Sequence, residues 1–148
     1  MLMRHALAPG TGDPEEFVLE DCGKQRNLSE EGRDQAIEFG NRFRQNGVTK
    51  AVVYSSQWCR SLDTAELLQL GPVKPLPIIN SFFRNFDRRE AQTTKLKDWI
   101  LTQKLDQPVI LVTHQVNITA LTGVYPDSGE MVVVRIEDNK LYVIGTIK

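Results

Sequence analysis

The chain has 148 residues, of which 41% are hydrophobic and 25% charged, with a formal net charge of -1. That length suits one domain, residues 1–148, around a single core of ordinary size, and the charge balance gives no global pull toward nucleic acid or membrane surfaces. No apolar run reaches the length of a membrane span, no basic-then-apolar stretch reads as a signal peptide, and there are no heptads, repeats or low-complexity tracts.

The opening MLMRHALAP reads as a short strand that ends in Arg4 and His5. Strands average about five residues, so one with only Met1, Leu2 and Met3 before Arg4 looks clipped. We therefore expect a longer natural product or precursor. A signal peptide removed upstream would make the protein exported, in the periplasm; otherwise it is cytoplasmic. The Gly-, Pro- and acid-rich APGTGDPEEF that follows is loop, and its PGTG lacks the Lys-Ser/Thr pair and helix of a nucleotide-binding loop. RNLSEEGRDQAIEFGNRFRQNG then predicts a helix, with Ser29 as N-cap, Glu30 and Glu31 at its positive end, Ala36, Phe39, Gly40 and Phe43 at helical spacing, and Gly47 as the stop.

KAVVYSS reads as a buried strand. CRSLDTAELLQLG is a second helix, with Leu62, Ala65 and Leu68 on one face and Gly71 at its end. GPVKPLPIINSFF is proline-broken and predicts loop with a little extended structure. REAQTTKLKDWILTQKL, residues 89–105, is a third helix burying Leu96, Trp99 and Ile100. PVILVTH is an all-apolar strand covered on both faces, QVNITALTG a short helix, and EMVVVRIEDNKLYVIGTIK two strands around an Asp138-Asn139 turn. Strands alternating with helices predict a three-layer α/β/α fold, with a mostly parallel central sheet and a C-terminal antiparallel hairpin.

The two histidines of the chain, His5 and His114, both fall where a predicted buried strand gives way to loop. Arg4 sits beside the first, and Arg60 lies just past another strand, in the first turn of a helix. In a mostly parallel sheet these places share the carboxyl edge, where open α/β folds build their sites. Phosphoryl transfer is the chemistry that wants this set. Guanidinium forks hold phosphoryl oxygens in bidentate fashion, a neutral imidazole nitrogen is a covalent nucleophile, and a second imidazole adds a donor. The sequence lacks the clustered carboxylates of a two-metal phosphatase, and no metal or cofactor is expected.

These residues carry a family resemblance. LMRHALAP resembles the strand-borne Arg-His-Gly motif of the histidine phosphatase superfamily, the phosphoglycerate-mutase-like fold. RNLSEEGRDQA resembles that family's following helix start, VVYSSQWCRSLDTAELL its Ser-Ser segment with the second arginine, and VILVTHQVNITALTG its second-histidine strand. The resemblance implies a phosphatase with His5 as the phosphorylated nucleophile and Arg4, Arg60 and His114 completing the phosphate pocket. Arg26, Gln57, Gln115 and Asn117 are further candidates for binding substrate, with Trp58 at the entrance. Asn117 is the better fit as a brace for the His114 loop.

The departures from the pattern bear on the substrate. Ala6 replaces the glycine after the histidine. Ser81 stands roughly where mutase-like members carry a glutamate acid, and Gln115 where phytase-like members carry an aspartate. Asp87 and Glu90 are the nearby candidates for a general acid. Without a strong acid the expected substrates have good leaving groups (phosphohistidine, acyl phosphates, pyrophosphates). The partners implied are a phosphorylated small molecule or a phosphohistidine protein, not nucleic acid. The alternative is a catalytically weak phospho-ligand-binding protein on the same fold. In the resembled fold Cys22 and Cys59 both border the pocket, which allows either a disulfide, suited to an oxidising compartment, or two separate thiols. A zinc site built from these cysteines and the two histidines lacks the close-paired spacing of structural zinc sites.

Overall fold

The computed structural model describes residues 1–104 and 106–148. Four strands and four helices follow one another as β1 (Leu2–Arg4), α1 (Glu30–Gln45), β2 (Val52–Ser55), α2 (Cys59–Leu67), β3 (Val73–Pro75), α3 (Arg89–Leu101), β4 (Val109–Thr113) and α4 (Gln115–Thr122). The strands β5 (Met131–Glu137) and β6 (Lys140–Ile147) close the chain. All six strands form one sheet in the order β3-β2-β4-β1-β5-β6. The pairs β3-β2, β2-β4 and β4-β1 are parallel, and β5 runs antiparallel to both β1 and β6. Asp138 and Asn139 both take positive φ, 48° and 57°, in the turn between β5 and β6, as a two-residue hairpin of type I′ requires.

Side-chain alternation along the strands splits the core in two. Met3, Val53, Ile110 and Val112 point to one face and are covered by Phe39 and Phe43 of α1 and Ala65 of α2. Leu2 and Leu111 point to the other and meet Leu96 and Ile100 of α3 and Ile118 of α4. The three layers follow directly. Trp99 is only half-buried, packed edge-on against Tyr54.

Two expected boundaries move, and the proline-broken segment keeps the little extended structure expected of it. The third helix stops at Leu101, where Thr102 and Gln103 turn their amides to the carbonyls of Trp99 and Ile100 and tighten the last turn; Leu105, the last residue expected in it, lies outside the described residues. The second helix stops at Leu67, before Gln69, which takes a φ of 52°. The proline-broken segment holds a short edge strand, β3, in which Pro75 can sit because an edge leaves room for a residue without an amide donor.

The topology places the site. Chain leaving β1 and β2 enters helices on one face of the sheet, while chain leaving β4 enters α4 on the other. Because β4 and β1 are neighbours, a crevice opens between their carboxyl ends, where open α/β sheets bind ligands.

Candidate active site

His5 follows β1 and His114 follows β4, so the switch-point crevice brings the two imidazoles together with ring centroids 5.5 Å apart. The His5 amide donates to the Thr113 carbonyl at 2.9 Å and extends the β1-β4 pairing to the histidine itself. Its imidazole Nδ1–H donates to the Ala6 carbonyl at 2.8 Å. A carbonyl can only accept, so the proton is fixed on Nδ1 and the lone pair on Nε2. Arg60 Nε–H donates to that Nε2 at 3.2 Å. Beside them Ser56, the first residue past β2, bonds His114 Nε2 through its hydroxyl at 2.8 Å.

Both imidazoles are buried, and Arg60 is only 3% exposed. Burial, and next the charge of Arg60, lowers the His5 pKa to about 3. Burial, Arg60 and His5 hold His114 well below its ordinary value of 6.5. Both rings are therefore neutral at physiological pH. Burial followed by the charge of Arg60 also lowers Arg26, to about 10, which leaves it a cation.

Arg60 is in turn held by a residue the sequence did not single out. Asp13 takes Arg60 Nη1 on Oδ1 at 2.7 Å and Arg60 Nη2 on Oδ2 at 3.2 Å. The same carboxylate accepts the Arg26 amide at 3.1 Å and the Trp58 indole N–H at 3.1 Å. Burial alone would raise the pKa of Asp13, but the hydrogen bonds and charge of Arg60 outweigh it and the net shift is downward. Asp13 occupies the end of the fork, so the Nε side of the guanidinium stays turned to His5.

The segment between His5 and α1 carries Asp13 and Arg26 and has little regular structure, yet it is fastened at many points. Ala6 donates its amide to Thr64 Oγ1, and Leu7 donates to Gln35 Oε1. Gly32, in the first turn of α1, lies so close to this segment that a Cβ there would meet the Leu7 carbonyl oxygen at 2.0 Å. The Arg26 guanidinium donates to the carbonyls of Gly12 and Ala8. Gln25 accepts the Cys59 amide and donates to the carbonyls of Val18 and Leu19. Cys22 and Cys59 form a disulfide, which ties the segment covalently to the residue before Arg60. Bonded to each other, the two sulfurs are not available as thiolates for a metal. Among the described residues no three His, Cys, Asp or Glu side chains gather as metal ligands.

The resulting cavity, of about 300 Å³, is lined by Arg4, His5, Asp13, Arg26, Trp58, Arg60, Ser81, His114 and Gln115, with Arg84 and Arg88 also in its wall. The other predicted candidates go elsewhere. Gln57 is turned to Asn80, exchanging hydrogen bonds with its amide. Buried Asn117 donates to the Asn80 carbonyl and braces the chain behind the pocket. Asp87 lies in a 3-10 turn and Glu90 in the first turn of α3; both are exposed and neither lines the cavity. Asp13 escaped sequence reading because it has no period or spacing, and Ser56, though part of the Ser-Ser segment four residues before Arg60, was not singled out as a partner of His114. The signal for Asp13 was a lone carboxylate between Gly12 and Pro14, and for Ser56 a hydroxyl just past a strand end.

Residues 1–81 match the family model of the histidine phosphatase superfamily (branch 1). Among solved structures, the protein histidine phosphatase SixA complexed with tungstate matches with a TM-score of 0.71 at 14% identity, over 99% of this chain and 94% of that one. A phosphoserine phosphatase variant from Entamoeba histolytica in complex with phosphoserine gives 0.66 at 13% identity, over 98% and 94%. Mycobacterial glucosyl-3-phosphoglycerate phosphatase gives 0.56 at 19% identity, over 81% and 77%. No curated protein matches the chain by sequence.

Proposed function

Because the chain belongs to the histidine phosphatase superfamily, we propose that it is a phosphatase in which His5 Nε2 takes the phosphoryl group from substrate and passes it to water. The observation that carries this reading is the proton on Nδ1, fixed by the Ala6 carbonyl, which leaves the Nε2 lone pair beside Arg60. The depressed pKa keeps that lone pair free at physiological pH.

A phosphoryl group entering between His5 and Arg60 draws the Arg60 Nε–H to one of its oxygens and leaves Nε2 facing phosphorus. Arg4 and His114 line the same cavity and complete the set of donors, and Arg26 adds charge beside them. Guanidinium groups then supply the charge neutralisation without a metal. The walls offer no carboxylic acid free to protonate a leaving group, since Asp13 is committed to Arg60. Substrates therefore carry leaving groups that need little protonation from the pocket walls: phosphohistidine, whose imidazole takes its proton readily from solvent, and acyl phosphates and phosphoanhydrides, which leave as stable anions. Phosphorylated small molecules and phosphohistidine proteins both fall within that class.

Brief incubation with a labelled aryl phosphate followed by quenching tests the reading. An acid-labile, base-stable adduct is expected in the wild type and not in His5→Ala. An unchanged adduct in that variant removes His5 from the mechanism, and phosphate binding without turnover of any ester, phosphoramidate or anhydride supports a ligand-binding protein instead.

A further inference from the structure

Five arginines line the cavity and only one carboxylate does, Asp13, which is spent on Arg60. With both histidines neutral, the walls carry four positive charges in excess (five minus one), in a chain whose net charge is -1. A phosphate monoester brings at most two negative charges. Two arginines are left over.

The surplus is concentrated on one wall. Arg84 and Arg88 come from the segment between Asn80 and α3, which also lends Ser81 and Asn85 to the lining. Among the described residues Arg84 donates only to main-chain carbonyls, those of Asp13 and Pro14, so its charge is not cancelled there. Arg88 forms no ion pair among the described residues. This wall holds no group able to give a proton to a leaving oxygen. It holds two permanent cations, which cannot give a proton but can receive a departing anion.

We infer that Arg84 and Arg88 form a second anion subsite and that the substrate is a phosphoanhydride, an organic diphosphate cleaved at its terminal phosphoryl group. This rests on the phosphatase reading above. His5 Nε2 gives its electron pair to the terminal phosphorus, and the bridging P–O bond breaks with its pair on the departing monophosphate, held by Arg84 and Arg88. A water oxygen then attacks the phosphorus on His5. The N–P bond returns its pair to Nε2, one proton of the water stays on the inorganic phosphate, and the other goes to solvent. Phe83, 43% exposed, and Phe17, stacked on Trp58, give apolar surface beside the subsite for the organic part of the diphosphate.

Calorimetric titration of the disulfide-intact His5→Gln protein with inorganic pyrophosphate and with inorganic phosphate tests the subsite. Pyrophosphate should bind about 30-fold more tightly, as an added charge-assisted contact predicts. Arg88→Ala should cut that ratio about tenfold and Arg88→Lys should restore part of it. In the wild type, kcat/KM for a nucleoside diphosphate should exceed that for glycerol phosphate about 100-fold, since only the former leaves without a proton. Equal binding of the two anions, or a ratio untouched by Arg88→Ala, overturns the inference. Turnover of aryl phosphate or of a phosphohistidine peptide without turnover of the diphosphate also overturns it, while sparing the phosphatase reading. Tight pyrophosphate binding with no turnover of any ester, phosphoramidate or anhydride supports the subsite and overturns the phosphatase reading.

Discussion

Asp13→Asn separates the role of Asp13 from that of its neighbours. The carboxylate accepts four hydrogen bonds, two on each oxygen, and each oxygen takes one from Arg60. Asparagine keeps one oxygen and turns an NH₂ toward two donors. At least two bonds are lost, one to a guanidinium and one to a neutral N–H. Bonds of these kinds are worth about 1.5–3 and about 1 kcal/mol. Asp13 is 11% exposed, so water recovers part of that, and we expect a loss of about 2–3 kcal/mol at pH 7. Arg60 is then released from its fork, and kcat/KM for an aryl phosphate should fall about tenfold to 100-fold, at or below the cost of deleting an oxyanion donor outright. The folded pKa of Asp13 lies below the ordinary value of 3.8, so its stabilising contribution is present above the unfolded pKa and is lost as pH falls through the folded one. Urea unfolding of both proteins should therefore show a gap at pH 7 that narrows by about pH 3. A variant with wild-type stability and activity, or a gap that is the same at both pH values, refutes this account of Asp13.

The disulfide closes a loop with a sequence separation of 37; its reduction should cost about 4 kcal/mol by loop-closure entropy. At this chain length that is a fall in Tm of about 8–16 °C, and calorimetry with and without reductant reads it. Because the His5 pKa is lowered to about 3, kcat/KM corrected for the substrate's second ionisation should show no histidine titration near pH 6.5; a break there would show that burial and the charge of Arg60 do not hold the imidazole neutral. The same shift means the unfolded chain binds more protons below about pH 6.5, so stability should drop as pH falls from there, and His5→Gln should flatten that slope. Gly32→Ala drives a Cβ into the Leu7 carbonyl, two residues from His5; we expect about 1–3 kcal/mol of destabilisation and a lower kcat/KM, read by thermal melts and aryl phosphate turnover. Asp87→Ala and Glu90→Ala, outside the cavity, should change alkyl and aryl phosphate rates equally; a selective loss on the alkyl ester would make one of them the acid.

Local signals in the chain are strong where one residue or one period decides the conformation. Ser29 caps α1 by accepting the Gly32 amide, the apolar run Val109–Thr113 is a buried strand, and Asp138-Asn139 turns the hairpin, all as the sequence predicts. Arg4, His5, Arg60 and His114 were legible as a group because each sits at a strand end or just beyond one, and parallel strands share a carboxyl edge. Helix ends were less legible, since the stop at Leu101 depends on competition between nearly equal backbone bonds in the last turn. Only the tertiary structure could decide the rest. The contact of Asp13 with Arg60 spans 47 residues through a segment without period, and the tilt of Gln57 toward Asn80 rather than the cavity is a matter of which partner packing leaves in reach. Whether Cys22 and Cys59 meet is likewise a matter of loop path, because pairing needs two backbones within about 6 Å and spacing along a chain does not set that distance. Burial does the last part: it holds both histidines neutral, and burial is a property of the assembled layers rather than of any residue in the sequence.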